Sequence, residues 1–87
     1  MALTTPQLEA LAAACIGELR REQSPPYRHQ IGRGIRSTRV AKPTAEKLWS
    51  LGYLRQGAKD GVYWVKIEAT DLGRAAWAEA SHQPAAK

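Results

Sequence analysis

Positively charged side chains are concentrated in the middle of this chain, and their chemistry suits a polyanion. Ten of the 13 Lys and Arg residues lie between residues 20 and 59, together with only two of the eight Asp and Glu residues. The whole chain carries a net charge of +5, so the two ends are acidic on balance. Guanidinium and ammonium groups gathered in this way predict a surface that faces phosphates or carboxylates. A solvated surface that only keeps the protein soluble is the alternative.

Residues that could perform catalysis or bind a metal are few and far apart. His29 and His82 are distant in the sequence, and Cys15 is the single cysteine, so the spacing predicts neither a metal site nor a cofactor. No local arrangement resembles a Ser-His-Asp or Cys-His pair. A chain of 87 residues also leaves little concave volume beside its core. We therefore expect a binding protein rather than an enzyme, with no catalytic residues and no small-molecule substrate.

The hydrophobic pattern of the first half predicts helices. Apolar residues recur at steps of three and four from Pro6 to Glu22, with Thr5 as the N-cap. A second, shorter helix is predicted from Tyr27 to Arg36, although it contains two glycines that weaken a helix. A third is predicted from Lys42 or Pro43 to Leu51, with Gly52 ending it.

The second half predicts a β-hairpin followed by one more helix. Its strands are expected at Tyr53 to Gln56 and at Val62 to Glu68, joined by a tip that contains Asp60-Gly61. Alternation predicts that Tyr63, Val65 and Ile67 point inward. Thr70 is the expected cap of a last helix that runs from Asp71 to Ala80.

Length and composition predict one domain over residues 1–87, with an ordered core at about residues 5–80 and a flexible tail at 81–87. The lone Cys15 suits a reducing compartment, and no signal peptide or apolar run of membrane-spanning length is present. A cytoplasmic protein without a membrane partner is therefore expected.

Two stretches of this sequence resemble a known family. One is Thr44-Ala45-Glu46-Lys47-Leu48-Trp49-Ser50-Leu51-Gly52-Tyr53-Leu54, and the other is Ala69-Thr70-Asp71-Leu72-Gly73-Arg74-Ala75-Ala76-Trp77. They resemble the end of the recognition helix, and the start of the helix after the wing, in winged-helix transcriptional regulators of the small MarR- and PadR-like type. The resemblance implies a winged helix-turn-helix of the α+β class, with three helices, a two-stranded wing and a C-terminal helix. The long dimerisation helices of that family are absent or truncated here.

The resemblance also implies a function, which is the binding of double-stranded DNA by a small transcriptional regulator, with a homodimer as the usual form. A recognition helix at about residues 42–51 would enter the major groove, and a basic wing at about residues 55–62 would contact the backbone. The expected DNA-binding residues are Arg28, Arg33, Arg36, Arg39, Lys42, Thr44, Lys47, Arg55 and Lys59. The alternative is a winged-helix protein-interaction module, such as a phage-encoded inhibitor or an assembly factor, whose basic face covers an acidic partner. Binding of RNA or ribosomes by the same face is a third hypothesis.

Overall fold

The computed structural model describes residues 3–32, 35 and 37–82, which form three helices and five strands. The predicted α+β class is therefore confirmed. In chain order the elements are α1 (Thr5–Cys15), β1 (Leu19–Glu22), β2 (His29–Ile31), β3 (Thr38–Val40), α2 (Lys42–Ser50), β4 (Leu54–Asp60), β5 (Trp64–Ala69) and α3 (Asp71–His82).

The five strands form one antiparallel sheet in the order β3-β2-β1-β5-β4. The central strand is β1, which pairs with β2 on one side and with β5 on the other. In this register Arg21 of β1 lies opposite both His29 and Val65. The edges of the sheet are β3 and β4, and these strands are separated by four interstrand spacings, about 19 Å.

One face of the sheet packs against the helices and forms the core. Val65 and Ile67 alternate with less buried residues along β5, and their side chains meet Leu11 of α1 and Leu48 of α2. Burial of each side chain of this size contributes about 2 kcal/mol. Because α1 contacts both other helices as well as β1 and β5, it is the centre of the helical layer.

The first predicted helix is wrong over its last turns. A Schellman motif ends α1, since the Glu18 N–H donates to the Ala13 carbonyl over 2.8 Å and the Gly17 N–H points to the Ala14 carbonyl over 3.4 Å. Gly17 adopts a φ of 79°, which glycine accepts without steric cost. The chain then leaves the helix and forms β1. The N-cap is also one residue earlier than predicted, because the Thr4 hydroxyl accepts from the Gln7 N–H.

The predicted helix from Tyr27 to Arg36 is also wrong, because β2 occupies His29–Ile31. Tyr27 and Gly32, which flank this strand, have φ values of 58° and 81°, and these left-handed conformations cannot continue a right-handed helix. The segment between the second and third predicted helices contains β3. Together β1, β2 and β3 add three strands to the predicted pair, so the sheet is larger than a two-stranded wing, and β2 and β3 stand where a helix-turn-helix needs its first helix.

The second half follows the predicted order. Helix α2 ends at Ser50 with Gly52 at a φ of 78°, and Gly61 turns the β4–β5 hairpin at a φ of 87°. The Thr70 hydroxyl accepts from the Gly73 N–H over 3.0 Å and donates to the Gly52 carbonyl over 2.6 Å, so the predicted cap also joins α3 to the end of α2. Two predictions differ, because β4 extends to Asp60 instead of ending at Gln56, and Tyr63 is exposed rather than inward-facing. Residues 81 and 82 of the predicted tail belong to α3, and residues 83–87 lie outside the described residues.

A close approach of α3 to the backbone before β4 requires glycine at position 73. A methyl group on the buried Gly73 would overlap the Tyr53 carbonyl, which accepts the Thr70 N–H over 2.9 Å and so cannot move freely. We predict that Gly73→Ala lowers the free energy of unfolding by about 3 kcal/mol, as measured by denaturant titration.

The matched control for this prediction is Gly61→Ala, since a Cβ at Gly61 meets open space and only its left-handed φ is penalised. We expect a loss of about 1 kcal/mol for the control. Equal losses for the two variants would contradict the assigned role of Gly73.

Candidate functional site

An open groove of about 1070 Å³ lies between α2 and the part of the sheet formed by β1, β2 and β3. Its lining includes Arg21, His29 and Val40, which lie opposite one another in the register and so share one face of these three strands. Ala45 and Trp49 of α2 line the groove across from them. The groove therefore continues the helical face of the sheet beyond the apolar core.

Four cationic residues line this groove, and they come from four segments of the chain. They are Arg21 on β1, Arg28 before β2, Arg39 on β3 and Lys42 at the start of α2. Glu46 is the carboxylate that lines it with them. The groove is thus a concave surface with an excess of positive charge, which attracts anions.

These cations differ in how far the protein already neutralises them. Arg28 binds the carboxylate of Glu22 through its backbone N–H at 3.0 Å and through its guanidinium at 3.2 and 3.3 Å. The backbone hydrogen bond, followed by the side-chain one, holds the pKa of Glu22 below its usual value. Lys42 and Glu46 form a highly exposed pair at 4.0 Å, which contributes little. No carboxylate among the described residues lies within ion-pair distance of Arg39.

Trp49 and His29 connect α2 to β2 inside the groove. The Trp49 indole N–H donates to Nε2 of His29 over 2.9 Å, and the two rings meet edge to face with their centroids 6.2 Å apart. Burial, followed by the nearby Arg21 charge, lowers the pKa of His29 to about 4. The imidazole is therefore neutral at pH 7 and can accept this hydrogen bond.

Arg21 lies between two aromatic rings of the groove. Its guanidinium carbon is 5.5 Å from the centroid of Tyr27 and 5.9 Å from that of Trp49, within the range of cation–π attraction. One terminal nitrogen donates to Oε1 of Gln56 over 3.0 Å, while the buried Nε has no hydrogen-bond partner. These contacts hold the cation in position without neutralising it.

The opposite face of the sheet also carries cations, but carboxylates accompany them. Arg55 binds Glu68 at 3.0 Å, and Arg20 lies 3.7 Å from Asp60. The Arg20 guanidinium also covers the ring of Trp64 at 4.3 Å. Arg20 and Arg55 on this face are therefore each accompanied by a carboxylate.

The structure brings together only part of the residue set predicted from the sequence. Arg28, Arg39 and Lys42 line the groove, whereas Thr44 and Lys47 are on α2 but outside the lining. Arg55 and Lys59 are on β4, the edge strand opposite β3. Arg33 and Arg36 lie outside the described residues. Arg55 and Lys59 of the predicted wing therefore do not line the groove.

The groove residues that were not predicted from the sequence include Arg21, Tyr27, His29 and Trp49. Arg21 was assigned to the last turn of a helix and Tyr27 to the start of another. Gly17 is the signal that could have indicated a helix end before Arg21, because glycine is common immediately after the end of a helix. No comparable signal indicates that His29 meets Trp49, since strand pairing and helix packing bring these residues together.

Comparisons of this chain with protein-family models, with curated proteins and with solved structures found no match. None of the helices in the described part of the chain has the length and hydropathy needed to cross a bilayer. Within residues 3–32, 35 and 37–82 no group of three or more His, Cys, Asp or Glu side chains could hold a metal ion.

The buried His29 predicts a pH dependence of stability. The folded chain holds the pKa of His29 near 4, whereas a free imidazole titrates at 6.5, so the unfolded state binds the extra proton between these values. The contribution of His29 to the free energy of unfolding therefore falls as the pH drops from 6.5 to 4. We expect an NMR titration to place the midpoint of His29 near pH 4.

A His29→Gln variant should lose less stability than the natural chain over the same pH range, because glutamine does not titrate. A His29 midpoint near 6.5, or parallel stability curves for the two proteins, would contradict the buried, neutral state of this imidazole.

Proposed function

We propose that this chain is a DNA-binding protein, not an enzyme, and that the groove lined by Arg21, Arg28, Arg39 and Lys42 contacts the phosphates of double-stranded DNA. The observation that carries the proposal is that these four cationic residues, from four segments of the chain, line one concave surface. Phosphate contacts of this kind supply most of the affinity for DNA and fix the orientation of the protein on the duplex.

The start of α2 supports the same proposal. Lys42 opens the helix, Arg39 precedes it on β3, and both residues line the groove. Ala41 has no polar side chain with which to cap α2. Pro43 in the first turn has no N–H, so at most the Lys42 and Thr44 amides are left for a ligand. Unsatisfied N–H groups and the helix dipole both favour a phosphate at such a position, and the neighbouring cations add to that preference.

The second half of the chain supports the proposal through its resemblance to winged-helix regulators. The order of α2, the β4–β5 hairpin and α3 matches the order of recognition helix, wing and following helix in those regulators. A role in transcriptional regulation follows from this resemblance. We place the contact at the groove end of α2 rather than at the distant hairpin, because β4 is the edge strand farthest from β3.

Salt dependence tests the proposal. Each phosphate contact contributes about −0.9 to the slope of log K against log salt. Because carboxylates already accompany Arg28 and Lys42, two to four contacts predict a slope between about −1.8 and −3.6, and an affinity loss of about 10- to 10²-fold between about 50 and 200 mM salt. Fluorescence anisotropy with a labelled duplex measures both quantities. Weak binding at low salt, or a slope near zero, would contradict the proposal and favour an acidic protein as the partner.

A pair of charge-neutralising variants distinguishes the groove from the opposite side of α2. We predict that Arg39→Gln weakens duplex binding about tenfold and makes the salt slope shallower by about 1, because it removes one phosphate contact. Lys47→Gln is the matched control, since it removes a cation of α2 that is outside the groove lining. A larger loss with Lys47→Gln than with Arg39→Gln would instead support the recognition helix predicted from the sequence.

A further inference from the structure

We infer that the groove also accepts an unpaired base, which stacks on Tyr27, so that this chain prefers DNA with unpaired nucleotides to a perfect duplex. This inference rests on the proposed DNA-binding function. It goes beyond that function because it names the form of DNA that the groove selects and the side chain that selects it.

The first observation is the position of the Tyr27 ring. Tyr27 is 47% exposed and lines the groove, and the Arg21 guanidinium carbon is 5.5 Å from the centroid of its ring. An exposed aromatic ring inside a cationic groove is the arrangement with which proteins hold unpaired nucleotides, because every base has a face that can stack on such a ring. Trp49 is less accessible, since it is partly buried and its N–H is occupied by His29.

The second observation is the backbone of Tyr27. Its φ of 58° lies in the left-handed region, where a bulky residue other than glycine is rare. The Tyr27 N–H donates to the Ser24 carbonyl over 2.9 Å, so a tight turn holds this conformation. Strained backbone of this type is found mainly at functional sites. Core packing does not explain the tyrosine at this position, because its side chain is not buried.

The third observation is that further cationic residues line the groove together with this ring. Arg28 follows Tyr27 directly, and Arg39 and Lys42 line the same groove. If a base stacks on this ring, the backbone phosphates of its nucleotide therefore lie near these cationic residues. The groove of about 1070 Å³ is at the upper end of the volumes that take small ligands, so it has room for a nucleotide.

Exposure alone would not select Tyr27. Tyr63 is 74% exposed at the tip of the β4–β5 hairpin, yet it is outside the groove lining and its four cations. Tyr63 is thus a matched control, because it offers the same ring in a different electrostatic setting.

The experiment measures anisotropy with three labelled DNAs, which are a perfect duplex, the same duplex with two central unpaired thymidines, and a single strand. The proteins are the natural chain, Tyr27→Ala, Tyr27→Phe and Tyr63→Ala. We expect the natural chain, Tyr27→Phe and Tyr63→Ala to bind the interrupted duplex about tenfold more tightly than the perfect one. Tyr27→Ala should lose this preference, so that it binds the interrupted and the perfect duplex with equal affinity.

Each other outcome has a distinct meaning. Equal affinity of the natural chain for both duplexes, or a preference that survives in Tyr27→Ala, overturns the inference but leaves the proposed function intact. Failure to bind any of the three DNAs overturns the proposed function itself. A second measurement on the natural chain places 2-aminopurine at an unpaired position, where stacking quenches its fluorescence. Absence of quenching on binding would also overturn the inference.

Discussion

The pairing of β1 on both of its sides determines which side chains meet the core and which meet the groove. Leu19 and Arg21 are two residues apart in this strand, so they point to the same face of the sheet. Leu19 is 1% exposed in the apolar core, whereas Arg21 lies about 6.6 Å farther along the strand and lines the groove. A shift of one residue in this register would turn both side chains to the opposite face. The core and the cationic groove therefore depend on the same strand pairing.

The contact between Trp49 and His29 supports this arrangement from the helical side. It joins α2 to β2 across the groove. Both residues also lie near Arg21: its guanidinium contacts the ring of Trp49, and its charge helps to lower the pKa of His29. Since His29 is neutral at pH 7, the positive charge of the groove comes from its Arg and Lys side chains. Aromatic rings and cationic residues therefore line the same groove, and this combination suits a polyanion that also carries flat rings.

The sequence predicted the second half of the fold well because turn residues and hydrophobic spacing agreed there, as they do at Gly52, Asp60-Gly61 and Thr70. In the first half these signals conflicted. Leu19 continues the helical spacing of α1, but Gly17 ends the helix, and strands of three residues such as β2 and β3 are too short to show alternation. The same conflict limited how much of the groove could be predicted. Cations near the start of α2 were predicted, whereas Arg21, Tyr27, His29 and Trp49 meet only through non-local pairing, which no local pattern indicates.

The most direct test of the central claim is an NMR titration of the isotope-labelled chain with a DNA duplex that contains unpaired nucleotides. We expect the largest shift changes at the Trp49 indole N–H and at the backbone amides of residues 27–29 and 39–42, because these groups surround the groove. The amides of β4, including those of Arg55 and Lys59, should change little. Changes concentrated on β4 and the hairpin tip, with the Trp49 signal unmoved, would contradict the assignment of the groove as the binding site.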